Sequence, residues 1–206
     1  MRDDNKTIET FLAKLPDQLA IGGDSLPELT GIFLDQNMYD LSISPDTKQI
    51  FYLLPSSDGM FGFIQDLVTQ RKTKVVTSTL RGWITSWSKK TIAITSKATG
   101  YATSSMFSLN TYKETPISNR ILGNIYGMAT LPSPDGEKIL YSRTNSSGIG
   151  LIVYNIKDNK YIDLEIATIV EKCTWDNDSV YIYCGVPISI PSAVYPDNWY
   201  QGEIAF

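Results

Sequence analysis

Histidine is absent from all 206 residues, and that one absence removes a large block of chemistry. Without an imidazole there is no Ser-His or Cys-His nucleophile pair. Most catalytic zinc sites lose a ligand they depend on. No apolar run reaches 18 residues, the length at which a transmembrane helix is read. Basic charge is scarce as well: 18 Lys and Arg against 22 Asp and Glu leave a net charge of −4. Duplex DNA is held mainly by Lys and Arg neutralising phosphates, so a nucleic-acid partner is not expected. The densest basic cluster, Arg71, Lys72 and Lys74, reads as a solvated turn between two strands. Residues Met1 to Lys6 are polar and acidic, without the basic and apolar regions of a secretory signal. No pair of carboxylates stands in a context that singles out acid–base work. Nothing points to a cofactor or a metal, and the chain reads as non-enzymatic.

What is present is a globular, β-leaning composition. Hydrophobic residues make up 42% and aromatics 11%, the latter carried by 12 Tyr, 7 Phe and 4 Trp. Aromatic and β-branched side chains suit a pleated, half-buried surface. The length suffices for one substantial core.

A repeat of about 42 residues organises the chain. Four segments read as apolar strand, tight polar turn, apolar strand: Ile43–Tyr52, Thr85–Ile94, Pro132–Tyr141 and Cys173–Ile182. Aligned on Pro45, Trp87, Pro134 and Trp175, they lie 42, 47 and 41 residues apart. In Ser133-Pro134-Asp135-Gly136, Pro presets φ, Asp tolerates the bridge region and Gly accepts a positive φ. Such a turn joins antiparallel strands. A third strand recurs at Phe63–Lys72, Met106–Lys113 and Leu151–Lys160. Short fourth strands are expected at Lys74–Thr77, Glu114–Ile117 and Tyr161–Leu164. Four strands per period make a propeller blade. Strands apolar on both faces, such as Ile139-Leu140-Tyr141, fit sheets sandwiched between neighbours.

Ser133 to Gly136, together with Asp66, Leu67, Thr69 and Lys72 in the pattern Asp-Leu-x-Thr-x-x-Lys, resemble the TolB-like, WD-repeat-like β-propeller blade. The resemblance covers about residues 39 to 206 and departs where Trp87 and Trp175 replace Pro. It implies an all-β propeller of about three and a half four-stranded antiparallel blades. Blades are expected at 39–77, 82–118, 125–164 and, incompletely, 171–206. Three and a half blades do not close, so the chain reads as part of a larger propeller. Residues 1–38 stand outside the period, as an irregular segment or the remnant of a preceding blade. Thr7 to Leu15 fits both a short amphipathic helix and an alternating strand, with strand preferred. Gly22 to Pro27 reads as loop.

Few residues invite a chemical role. A hairpin turning at Asn177 pairs Cys173 with Tyr181 and sets Cys184 near Val170. The two thiols then point to opposite faces, and two small buried hydrophobes are expected instead of a disulfide. Trp83 and Trp87 share a strand face and are expected between blades. Asp46, Asp135 and Asp176 are turn acids and read as structural. The segment Gly185–Gly202 is a long insertion in the fourth blade, rich in proline and aromatics. Its Tyr195, Asp197, Trp199 and Tyr200 are the candidate ligand- or partner-binding residues. The competing reading folds those aromatics back over the blade edge.

The resemblance implies a protein- or ligand-interaction module of a periplasmic or envelope-associated protein. An alternative is the gating propeller of a prolyl-oligopeptidase-like serine peptidase with its catalytic domain elsewhere, since no Gly-x-Ser-x-Gly elbow occurs here. Self-association through open blade edges is also expected.

Overall fold

The computed structural model describes residues 7–14, 30–109, 117, 119–146 and 148–205. The chain divides into two compact units, 1–39 and 40–206. In the first, β1 (Phe11–Lys14) and β2 (Thr30–Phe33) form a two-stranded antiparallel sheet with Phe11 opposite Phe33. The two rings pack at 5.1 Å between centroids. Of the two readings of residues 7–15, the strand is the one adopted, starting at Phe11. The loop expected at 22–27 lies outside the described residues.

The second unit is a row of antiparallel sheets. The first comprises β3 (Asp40–Ile43), β4 (Gln49–Ser56), β5 (Gly59–Asp66) and β6 (Lys72–Ser78), each paired with the next. The second comprises β7 (Trp83–Trp87), β8 (Ile92–Ser96), β9 (Thr103–Ser108) and β10 (Asn119–Tyr126). The third comprises β11 (Thr130–Pro132), β12 (Lys138–Asn145), β13 (Gly148–Asn155) and β14 (Lys160–Asp163). The fourth has two strands, β15 (Cys173–Trp175) and β16 (Ile182–Cys184). The sheets do not close into a ring among the described residues, so this is a partial propeller.

Alternation explains the strands that are apolar on both sides. In β8, Ile92 and Ile94 enter one core with Phe51, Leu53 and Val76 of the first sheet. Ala93, between them, faces the next core with Ile139 and Tyr141 of β12. In β12, Leu140 in turn faces Trp175 and Ile182 of the fourth sheet. A period of two on a pleated strand delivers successive residues to opposite faces, and here both faces are covered. Each such isoleucine or leucine contributes about 1.5–3 kcal/mol by leaving water. Trp83 and Trp87 both pack into the core between the first two sheets.

The turns between first and second strands follow their sequence closely. In the third sheet, Ser133 Oγ donates to Asp135 Oδ1 (2.5 Å). The Asp135 carboxylate accepts the Glu137 N–H (2.9 Å), and Ser133 Oγ accepts the Lys138 N–H (2.9 Å). Ser44 and Asp46 repeat the pattern: Ser44 Oγ donates to Asp46 Oδ1 (2.7 Å) and accepts the Gln49 N–H (2.9 Å). The position after the acid is left-handed in both, with φ of 75° at Gly136 and 59° at Thr47. Those hydrogen bonds hold the Asp46 carboxyl below its ordinary range, the Ser44 hydroxyl first among them. The turns between third and fourth strands use a second device. Asp66 Oδ1 accepts the Val68 and Thr69 N–H groups, and Asn155 Oδ1 accepts those of Lys157 and Asp158. This is the physical content of the Asp-Leu-x-Thr motif. The second sheet's counterpart, at 110–113, lies outside the described residues.

Three expectations need correction. First, the strand register makes Trp87 and Trp175 the counterparts of Ile43 and Pro132, each facing an isoleucine: Ile92, Ile182, Ile50 and Ile139 respectively. They are not counterparts of Pro45 and Pro134. The second sheet's turn is two residues shorter than the first and third, which displaced Trp87 in the alignment; the fourth sheet's turn has their length, and its Trp175 was aligned two residues out of register. Second, residues 114–116 lie outside the described region, and the fourth strand of that sheet is Asn119–Tyr126, with irregularities at Arg120/Leu122 and Gly123/Ile125. Ile125 therefore belongs to the second sheet, and the third opens at Thr130. Third, Cys173 and Cys184 stand directly opposite one another and form a disulfide, with Cα atoms 4.1 Å apart. The hairpin is longer than expected. Asp176 Oδ1 accepts the Val180 and Tyr181 N–H groups, and Ser179 is left-handed at φ 60°. The pairing thus shifts by three residues, an odd number, which brings Cys184 to the face that Cys173 occupies.

Candidate functional site

Each sheet has two ends. At one lie the turns joining first to second strands, and at the other the turns joining second to third. The insertion after β16 crosses the latter end. Its backbone passes over Gly100 and Gly127 at contact distance: a Cβ on Gly100 would lie 2.8 Å from Tyr195 O, and one on Gly127 3.1 Å from it. Gly127 also holds φ at 65°. Tyr195 is buried, and its hydroxyl donates to Pro191 O (2.8 Å). Burial raises its phenol above the ordinary range. Its carbonyl accepts the Thr144 hydroxyl (2.9 Å). The Asp197 carboxylate accepts Thr99 Oγ1 (2.7 Å) and the Gly100 N–H (2.6 Å). Two of the four candidate residues are thereby committed to fastening the segment across the second and third sheets.

The other two lie at the surface, partly covered. They belong to α1 (Asp197–Tyr200), a single helical turn. Trp199 is half-buried on a cluster of Ile149, Ile169 and Tyr195, with Lys172 Nζ 5.7 Å from its ring centroid. Tyr200 is exposed, stands 5.5 Å from the Trp199 ring, and has Lys97 Nζ 5.7 Å from its own. Its hydroxyl donates to the Glu171 carboxylate, and desolvation together with that carboxylate pushes the phenol up. A pocket of about 380 Å³ opens beneath the segment, lined among others by Asn145, Ile149, Ile190 and Tyr195.

A second concavity, unseen in the sequence, lies at the opposite end. The turns there grip one another in succession. The Lys89 N–H donates to Pro134 O (3.0 Å), and Lys90 pairs with Glu137 (2.6 Å). The Asp135 N–H donates to Ser179 Oγ (3.1 Å), and Lys138 Nζ to Ser179 O (2.9 Å). Between them runs a groove of about 480 Å³ walled by Pro45, Trp87, Leu131, Pro132, Pro134 and Trp175. The Trp175 indole N–H donates to Leu131 O (3.0 Å). The recurrence of Trp87, Pro132 and Trp175 at the ends of first strands, with Pro45 and Pro134 in the adjoining turns, was the available signal for this groove.

The turn acids Asp46, Asp135 and Asp176 are each occupied within their own turns. Among the described residues no three His, Cys, Asp or Glu side chains gather as a metal site, and no helix is long and apolar enough to cross a membrane.

No protein-family model matches the chain, and no curated protein sequence matches it. Solved structures do. TolB from Acinetobacter baumannii superposes with a TM-score of 0.53 at 18% identity, over 75% of this chain and 38% of that one. The tricorn protease gives 0.54 at 14% identity, over 76% and 16% respectively. An acylaminoacyl peptidase from Pyrococcus horikoshii gives 0.52 at 12% identity, over 68% and 26%. The chain thus spans less than two thirds of each of these proteins. The likeness is one of fold: the sheets are β-propeller blades, similar in fold to those of TolB and of these peptidases.

Proposed function

We propose that the chain forms part of a protein-interaction propeller, without catalysis of its own, working in an oxidising compartment outside the cytoplasm. The observation that carries the reading is the presentation of Trp199 and Tyr200. Both rings sit on a backbone fixed by Tyr195 and Asp197, and each has a lysine ammonium close to it. Aromatic side chains held rigid at a surface offer large contact area at low entropic cost, as binding hot spots do. The Cys173–Cys184 disulfide supports the compartment, since such bonds persist where thiols are not kept reduced.

A photo-crosslinking side chain at position 200, irradiated in the native host, tests the reading. The expected result is a discrete protein adduct that is missing when the same group sits at exposed position 157. Equal adducts at both positions, or none, would overturn it. An adduct confined to a hydrolase domain of the same polypeptide would instead make the propeller a substrate filter.

A further inference from the structure

We propose that the groove at the opposite end binds a proline-rich peptide segment in the polyproline II conformation, with an acidic residue placed against Lys89. This site is separate from Trp199 and Tyr200 and does not depend on the reading above.

The walls are two indoles and three proline rings, in a space of about 480 Å³. That is the size of a site for a few residues of peptide. The polar groups decide what kind of peptide. The wall carbonyls Leu131 O and Pro134 O are already used: the first takes the Trp175 indole and the second the Lys89 N–H. The donors are not. The Trp87 indole N–H, the Lys89 ammonium and the Asn177 side-chain amide have no partner among the described residues. A matching ligand carries acceptors and few donors. A proline-rich segment meets that condition, because proline has a carbonyl and no N–H. Its extended helix is fully solvated, with carbonyls free for a donor such as an indole. Its rings stack on aromatic walls, and it enters the groove with little conformational entropy left to lose. Lys89 supplies the one unpaired charge, which selects an acidic residue in the segment.

Trp87 and Trp175 also differ in role. Trp175 has spent its N–H and offers only its ring. Trp87 keeps both ring and donor, so it is the residue that reads a backbone carbonyl.

The probe is a capped seven-residue peptide, six prolines around a central glutamate, titrated into the ¹⁵N-labelled chain. The chain has 4 Trp, so its indole N–H signals can be followed individually. The Trp87 signal is expected to move and saturate. Those of Trp83, bonded to Ser78 Oγ, and of Trp199, at the other end, should stay in place. Trp87→Phe keeps the ring and removes the donor, and should weaken binding about fivefold, the value of one net hydrogen bond. Lys89→Ala, at an exposed position, should abolish the preference for this peptide over an all-proline one. It serves as the second variant if Trp87→Phe does not fold. An unmoved Trp87 signal at millimolar peptide, or equal binding of a peptide with alanine in place of every proline, would overturn the proposal.

Discussion

The carboxylate of Asp197 accepts the backbone N–H of Gly100 at 2.6 Å, joining the fourth sheet's insertion to the hairpin end of the second. Thr99 Oγ1 adds a second bond at 2.7 Å. Bonds to a charged acceptor are worth about 1.5–3 kcal/mol when partly buried. Asp197→Ala should therefore release the segment locally, speeding hydrogen exchange at Gly100 and shifting Trp199 emission to the red. Gly100→Ala should act alike, since its Cβ would lie 2.6 Å from Val194 Cγ1 and 2.8 Å from Tyr195 O. Unchanged protection at Gly100 in Asp197→Ala would mean that other contacts hold the segment.

The disulfide closes a hairpin of sequence separation 11. Closing a loop of that size removes unfolded-state entropy worth about 2–3 kcal/mol. Urea unfolding of the oxidised chain should show a higher midpoint than that of the reduced chain or of the Cys173→Ser, Cys184→Ser double variant. Coincident curves would show that the half-sheet is held by its core alone.

Alkali should unfold the third sheet through Tyr141. Burial, with Tyr161 adding to it and Arg143 opposing, pushes this phenol up from 10.0 to about 12. The folded state therefore keeps the proton to higher pH than the unfolded state. Stability is intact below pH 10 and falls as pH rises through 12, by up to about 2–3 kcal/mol in all. Tyrosinate absorbance against pH, compared with Tyr141→Phe, checks this. The variant should lose most of the alkaline decline between those pH values.

Trp175 packs between the third and fourth sheets. Trp175→Phe removes the bond to Leu131 O and should cost about 1 kcal/mol. Trp175→Ala should cost more than Trp175→Phe but less than the roughly 3–5 kcal/mol of a fully buried Trp, because the ring is half-buried. Chemical denaturation that leaves both variants at the parental midpoint would place the indole outside the cooperative core.

The turns were readable because their chemistry is local. Ser133-Pro134-Asp135-Gly136 specifies its own hydrogen bonds, and Asp66 caps the next turn from within. The strands were readable because both faces are covered and both carry apolar residues. Register was harder. A turn two residues shorter in the second sheet placed Trp87 against proline in the alignment, although strand pairing sets it opposite Ile92. The disulfide was hidden for the same reason. The left-handed Ser179 and the cap from Asp176 lengthen a turn whose residues, Asn177-Asp178, suggest a tight one. At the candidate site, the sequence pointed to the right segment but could not separate fasteners from presented rings. That division depends on Thr99, Gly100 and Thr144, which are 98, 97 and 51 residues away along the chain from their partners.

The two ends of the sheets have different memories of how many blades they join. At the turn end each blade grips only its neighbour, as Lys89 grips Pro134 and Asp135 grips Ser179. A duplicated blade inserted there would find the same handholds on either side. The insertion after β16 does not work that way. It leaves the fourth sheet, touches Thr144 in the third and ends its reach at Gly100 in the second. One more blade between them would strand Asp197 short of Gly100. This segment therefore counts, and a lineage that carried it could lengthen its propeller only outside the three sheets it ties together.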